Sequence, residues 1–259
     1  MAKISKKLGL AIGGGLAAAA AAVALFSQTA PPGEIAMTKP TEPTHMIQPT
    51  ETAQETEPPI IEYMPEGFSS TEAAFPLLLE SNGLRLDTPF SFDGLNPDAS
   101  CVEGTNIAVL FLTNQSGRHL TEAELILTTK DGTHIRFHAQ HTPQGGKILL
   151  FSTDNLELPP QDAWHRIYYR IVWSDTASLL NDGLRVETSG LQMVLTNETG
   201  ESLPPFTLYC HDLLGDEYFG GKANAYTVNT IPSGQSVTID AADSLLGIFD
   251  AVYAGQITE

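Results

Sequence analysis

The chain has 259 residues, 31 acidic against 13 basic, and a formal net charge of −18. So acidic a surface repels nucleic acid and anionic lipid headgroups, which excludes both as partners. Its two cysteines, Cys101 and Cys210, stand in no CxxC or Cys/His cluster, which argues against a structural zinc site.

In chain order, Lys3, Lys6 and Lys7 precede an uncharged apolar run, 8–26. Residues 1–27 read as a secretory signal or as an N-terminal apolar membrane-anchor helix, and either exports the rest of the chain. Residues 28–66 are rich in Pro, Thr and Glu and poor in apolar side chains. That composition predicts a disordered stalk. Residues 67–80 then form a short helical or irregular lead-in.

The remainder repeats itself. LLLESNGLRLDT (77–88) returns as ASLLNDGLRVET (177–188), LFLTNQSG (110–117) as MVLTNETG (193–200), and TPQGGKILL (142–150) as IPSGQSVTI (231–239). Three echoes in one order predict a duplicated domain, with units at 67–175 and 176–259. The strands emerge from alternation. Leu84 and Leu86 alternate with Arg85 and Asp87, while 106–113 is apolar on both faces, as in a central strand. Ala108, Leu110 and Leu112 match Leu191, Met193 and Leu195 as a shared core face. Asn114 and Asn197 begin turns in which the Asn bonds nearby backbone and Gly117 and Gly200 supply positive φ. Lys130-Asp131-Gly132 signals a hairpin between 123–129 and 133–140, the second strand burying Ile135, Phe137 and Ala139. Residues 147–151 and 166–173 complete the first unit, and 247–254 closes the second. Six or seven short strands per unit predict an all-β fold: two tandem immunoglobulin-like antiparallel β-sandwiches. The copies differ at 89–104, present only in the first, and at 213–222, present only in the second.

The Thr-Asn-x-Ser/Thr-Gly turns, the later Pro-x-Gly and the run Phe206-Thr207-Leu208-Tyr209 resemble the immunoglobulin-like FxLYD domains of extracytoplasmic bacterial proteins. Cys210 stands where that pattern has Asp. The resemblance spans about 75–254 and implies fold and location. It carries no catalytic residues.

Candidate chemistry is sparse, and the sequence predicts neither an enzyme nor a bound cofactor or metal. His134 and His138 are about 13 Å apart along a strand, too far to share an ion. Trp164 and Tyr168 are candidate exposed rings for a binding surface, and Asp93, Asn96 and Asp98 are candidate polar contacts in the 89–104 insertion. Cys210 aligns with Leu127, a core position, and reads as a buried free thiol. The alternative, which one cysteine per unit permits, is a disulfide between Cys101 and Cys210. The expected role is a non-enzymatic cell-surface interaction or adhesion module, or an accessory subunit of an envelope complex, whose partner is a surface protein. A carbohydrate-binding surface protein is the alternative. The expected location is outside the cell, on the membrane through the N-terminal segment, or secreted if that segment is cleaved.

Overall fold

The computed structural model describes residues 64–81 and 83–256, which lie in one compact unit, Pro58–Glu259. The expected anchor helix and nearly all of the stalk fall outside the described residues. Among the described residues the fold is all-β, interrupted by two short 3-10 turns, and no helix is long and apolar enough to cross a membrane.

The first half runs β1 (Ser69–Glu72), β2 (Leu77–Leu79), β3 (Leu84–Leu86), β4 (Phe90–Asn96), β5 (Val102–Asn114), β6 (Leu120–Thr129), β7 (His134–Thr142), β8 (Lys147–Phe151) and β9 (Trp164–Trp173). The second runs β10 (Leu184–Ser189), β11 (Gln192–Asn197), β12 (Phe206–Leu214), β13 (Glu217–Phe219), β14 (Asn224–Val228), β15 (Ser236–Asp240) and β16 (Phe249–Gln256).

Both halves use one pairing plan. In the first, β3, β5 and β8 lie side by side, and β7, β6 and β9 form the opposing sheet. In the second, β10, β11 and β15 pair in the same sequence, and β12 is flanked by β14 and β16. Alternation decides which side chains meet between the layers, because successive residues of a strand point to opposite faces. Leu84, Leu110, Leu125, Phe137, Ile148 and Ile167 converge in one apolar cluster. Leu184, Met193, Leu195, Phe206, Leu208 and Phe249 converge in another.

The echoed turns match bond for bond. Asn114 Nδ2 donates to the carbonyls of Arg118 and Thr142, and its Oδ1 accepts from the N–H and hydroxyl of Ser116. Asn197 Nδ2 donates to the carbonyls of Glu201 and Ile231, and its Oδ1 accepts from Thr199 in the same two ways. Each Asn is fully buried and ties its turn to the loop that carries Pro143 or Pro232. Asn114→Ala and Asn197→Ala should each cost about 2–4 kcal/mol, because two carbonyls lose their donor in a buried setting. Urea unfolding of the two variants checks this, and a cost at only one site would contradict the equivalence.

Three expectations need correction. Leu191 is 49% exposed, since the strand begins one residue later and leaves it in the preceding turn. Neither Gly117 nor Gly200 has positive φ, so the Asn side chains shape these turns without that conformation. The lead-in is strand: β1 pairs β9 and β2 pairs β3, each as an added edge.

The two segments that differ between the halves also become strand. The 89–104 insertion folds back as β4 along an N-terminal extension of β5. The 213–222 segment forms β13, which pairs antiparallel with β12 and parallel with β8. Through β13 the sheets of the two halves are hydrogen-bonded into one, ordered β14-β12-β13-β8-β5-β3-β2.

Candidate functional site

The chemistry-bearing side chains collect where the halves meet. Strand β5 explains why. Its inner face, Ala108, Leu110 and Leu112, fills the first core. Its outer face, Ile107 and Val109 with Phe111, packs with Leu149, Phe151, Phe92 of the insertion and Phe219 of β13 in a third cluster. The rings of Phe92, Phe151 and Phe219 meet edge to face, with centroids 5.1 Å apart for both pairs that include Phe151. Such aromatic contacts add to the burial of apolar area.

Asp98 closes this joint. Its carboxylate accepts from the backbone N–H of Gly221 (2.8 Å), Lys222 (3.2 Å) and Phe151 (3.0 Å). Burial pushes the carboxyl above its usual range, and the N–H groups of Phe151, Gly221 and Lys222 pull it back. Asn96 holds the turn in place. Its Nδ2 donates to the carbonyl of Ser152 and its Oδ1 accepts from the N–H groups of Asp98 and Ala99. Gln140 of β7 supplies a second clasp: its N–H donates to the Gly221 carbonyl, its carbonyl accepts from His211 Nε2 at 2.7 Å, and its Oε1 accepts from Ala223 N–H. Lys147 adds an ion pair to Glu217 at 2.9 Å and lies 3.7 Å from the Phe111 ring centroid.

Beside the joint sits a stack of histidines and tyrosines. His141 stacks on Tyr209 with centroids 3.6 Å apart, and His119 stacks on Tyr253 at 4.5 Å. His119 Nε2 and His141 Nδ1 are 3.3 Å apart, so one donates to the other and the acceptor of the two is neutral. Burial lowers His119 to about 4 and His211 to about 4. Burial, then the charge His119 would carry, lowers His141 to about 3. Open clefts of about 650 and 890 Å³ flank the stack, His119 lining the first and His141 the second.

The sequence-predicted site residues fall out differently from expectation. Trp164 is 7% exposed and meets Phe75 edge to face, and Tyr168 is 3% exposed between Ser70 of β1 and Ile126 of β6. The lead-in that the sequence did not disclose as strand flanks both rings, so neither is a free stacking platform. Asn96 is fully buried and the Asp98 carboxylate is turned into the joint, so neither presents a surface contact. Asp93 accepts from the Asn106 N–H at 2.6 Å, at an exposed position. Of the two readings of the cysteines, the structure has the buried free thiol and not the disulfide: Cys101 is exposed, while Cys210 is buried with its thiol 3.5 Å from Met193 Sδ. Burial raises the Cys210 thiol to about 12, which makes it inert at neutral pH.

One cluster escaped the sequence reading. The β6–β7 register sets Glu124 opposite His138, and Glu122 Oε1 lies 3.0 Å from His138 Nε2. Among the described residues these three are the group whose ligand atoms are close enough to hold a metal ion. Arg170 of β9 bonds Glu124 and lies 3.9 Å from Glu122, so a guanidinium already supplies the cation. Cross-strand partners of His138 were the missing signal, and they required the register.

A comparison of the chain with protein-family models, with curated proteins and with solved structures gives no match.

Proposed function

We propose that the chain is an exported interaction module: two immunoglobulin-like sandwiches fused into one body, tethered to the membrane by residues 1–27 and carried on the 28–66 stalk. The observation that supports it is the joint. The segments in which the two copies differ, 89–104 and 213–222, are spent on locking the copies together through Phe92, Phe219, Asp98 and Gly221. A body without a hinge presents its surface preorganised, which lowers the entropic cost of binding a partner. His119 and His141 of the first half stack on Tyr253 and Tyr209 of the second across the same boundary. The partner on this reading is a protein, since the rings that would stack on a sugar, Trp164 and Tyr168, are buried.

Protease treatment of intact cells tests the reading. The chain should sediment with membranes, resist alkaline extraction, and lose the 67–259 portion to external protease. A chain that stays protected in intact cells and soluble after lysis would overturn it.

A further inference from the structure

The second half ends in an apolar surface that its own fold leaves uncovered. Ile248 is 65% exposed, and Leu245 and Leu246 beside it are exposed too, as are Leu191 and Leu214. The fold brings these together. A Cβ on Gly247 would lie 3.8 Å from the Leu191 side chain, and Leu213 N–H donates to the Ile248 carbonyl at 2.8 Å.

The loop that carries Leu245, Leu246 and Ile248 is held rather than loose. Asp212 is buried, and its carboxylate accepts from the Ser244 hydroxyl and from the N–H groups of Leu245 (3.1 Å) and Leu246 (3.3 Å). Ser244 Oγ in turn accepts from Gly247 N–H at 3.0 Å, and Gly247 takes φ +69°, which favours glycine. A buried carboxylate thus fixes the backbone with the leucine and isoleucine side chains turned to solvent. Folding alone gives no reason to hold large apolar groups in that position.

Charge narrows the class of partner. The segments that build the surface, 189–193, 212–217 and 240–250, contain no Lys or Arg. Asp216, Asp240 and Asp243 lie exposed around it. An acidic rim repels an anionic membrane and attracts a cationic surface on a protein. We infer that the Leu245–Ile248 loop, with Leu191 and Leu214, is a docking site for a partner protein that presents an apolar socket rimmed by lysine and arginine. This deepens the proposed function and rests on it only in taking the unit as a binding module.

The probe is an amphipathic helical peptide of leucine and lysine, compared with a leucine and glutamate peptide of equal length, each titrated onto the full chain. Vesicles of phosphatidylcholine and of phosphatidylglycerol form a separate arm. The Leu/Lys peptide should bind at least about tenfold more tightly than the Leu/Glu peptide, and Leu246→Ser with Ile248→Ser should weaken it at least about tenfold. Asp240→Asn with Asp243→Asn should weaken it by about threefold. Leu78→Ser, at an exposed leucine in β2, should change nothing, and the thermal midpoints of all variants should agree. The inference is overturned if the serine variant binds the Leu/Lys peptide like the parent. It is also overturned if the two peptides bind alike, if vesicle binding falls in the serine variant, or if those serines abolish self-association measured by sedimentation. Because no arm depends on where the chain resides, failure here leaves the protease result on export standing.

Discussion

Asp98→Ala should lower the unfolding free energy by about 3–5 kcal/mol, because it strands three N–H groups at once and opens a gap beside them. Phe151, Gly221 and Lys222 all donate to this one carboxylate. A side chain that stops at Cβ offers none of them an acceptor, and the loss falls where the 89–104 turn meets both β8 and the 220–222 backbone. Gly221→Ala should act at the same place and at least as strongly. A Cβ there would overlap the His138 carbonyl oxygen, which is backbone and unable to step aside. The joint should therefore fail before either half does. Urea unfolding followed by Trp164 and Trp173 in the first half, and by hydrogen exchange of β12 and β16 in the second, measures this. The parent should show one transition, and both variants should show two. A single unshifted transition in Asp98→Ala would mean that the joint contributes little.

Acidification should loosen the same boundary. His119, His141 and His211 have folded values of about 4, about 3 and about 4, against 6.5 when unfolded. Between those limits the unfolded chain holds protons that the folded chain does not. Stability is therefore full above pH 6.5 and is lost as pH falls toward 4. For the enclosed His211 the slope is about 1.4 kcal/mol per pH unit. The partly exposed His119 and His141 contribute less each, because water screens their charge. The groups facing them matter to the sign. Asp212 lies beside His211 and favours its charged form, while Asp98 and Asp250, whose carboxyls burial raises, take up protons more readily when folded and oppose the trend nearer pH 4. His211→Gln keeps a donor for the Gln140 carbonyl and should remove about one proton from the slope. Unfolding free energies at pH 7.5, 6.0 and 5.0 read it out, and a flat profile across that range would refute the neutral stack.

Much of the architecture was legible from alternation and repetition. The paired Asn turns announced themselves as Thr-Asn-x-Ser/Thr-Gly, and their hydrogen bonds match because backbone geometry follows local side-chain chemistry. The hairpin at Lys130-Asp131-Gly132 and the inward set Ile135, Phe137 and Ala139 need only period two and turn chemistry. The joint had a trace in the sequence as well. Where the first copy reads Ile107, Val109 and Phe111 on its outer face, the second reads Gly190, Gln192 and Val194. An outer face of three large apolar side chains in one copy, reduced to Gly, Gln and Val in the other, marks a surface that something covers in only the first.

The cover comes from far along the chain. Phe219 belongs to the second half and Val109 to the first, and no local pattern links them. Separation of the same kind hid Glu122 from His138 and the edge strand β1 from Tyr168. The shared strands, most of their inward faces, the duplicated turns and the acidic exterior are written in the amino-acid order, because each rests on neighbours within a few residues or on composition. Which faces became interfaces was settled only by folding. Folding turned Asp98 from a surface polar group into the clasp between halves and Asn96 into the support of its turn, buried Trp164 and Tyr168, and left Leu245, Leu246 and Ile248 outside. Burial is a property of contacts between distant segments, and those exist only once the chain is folded.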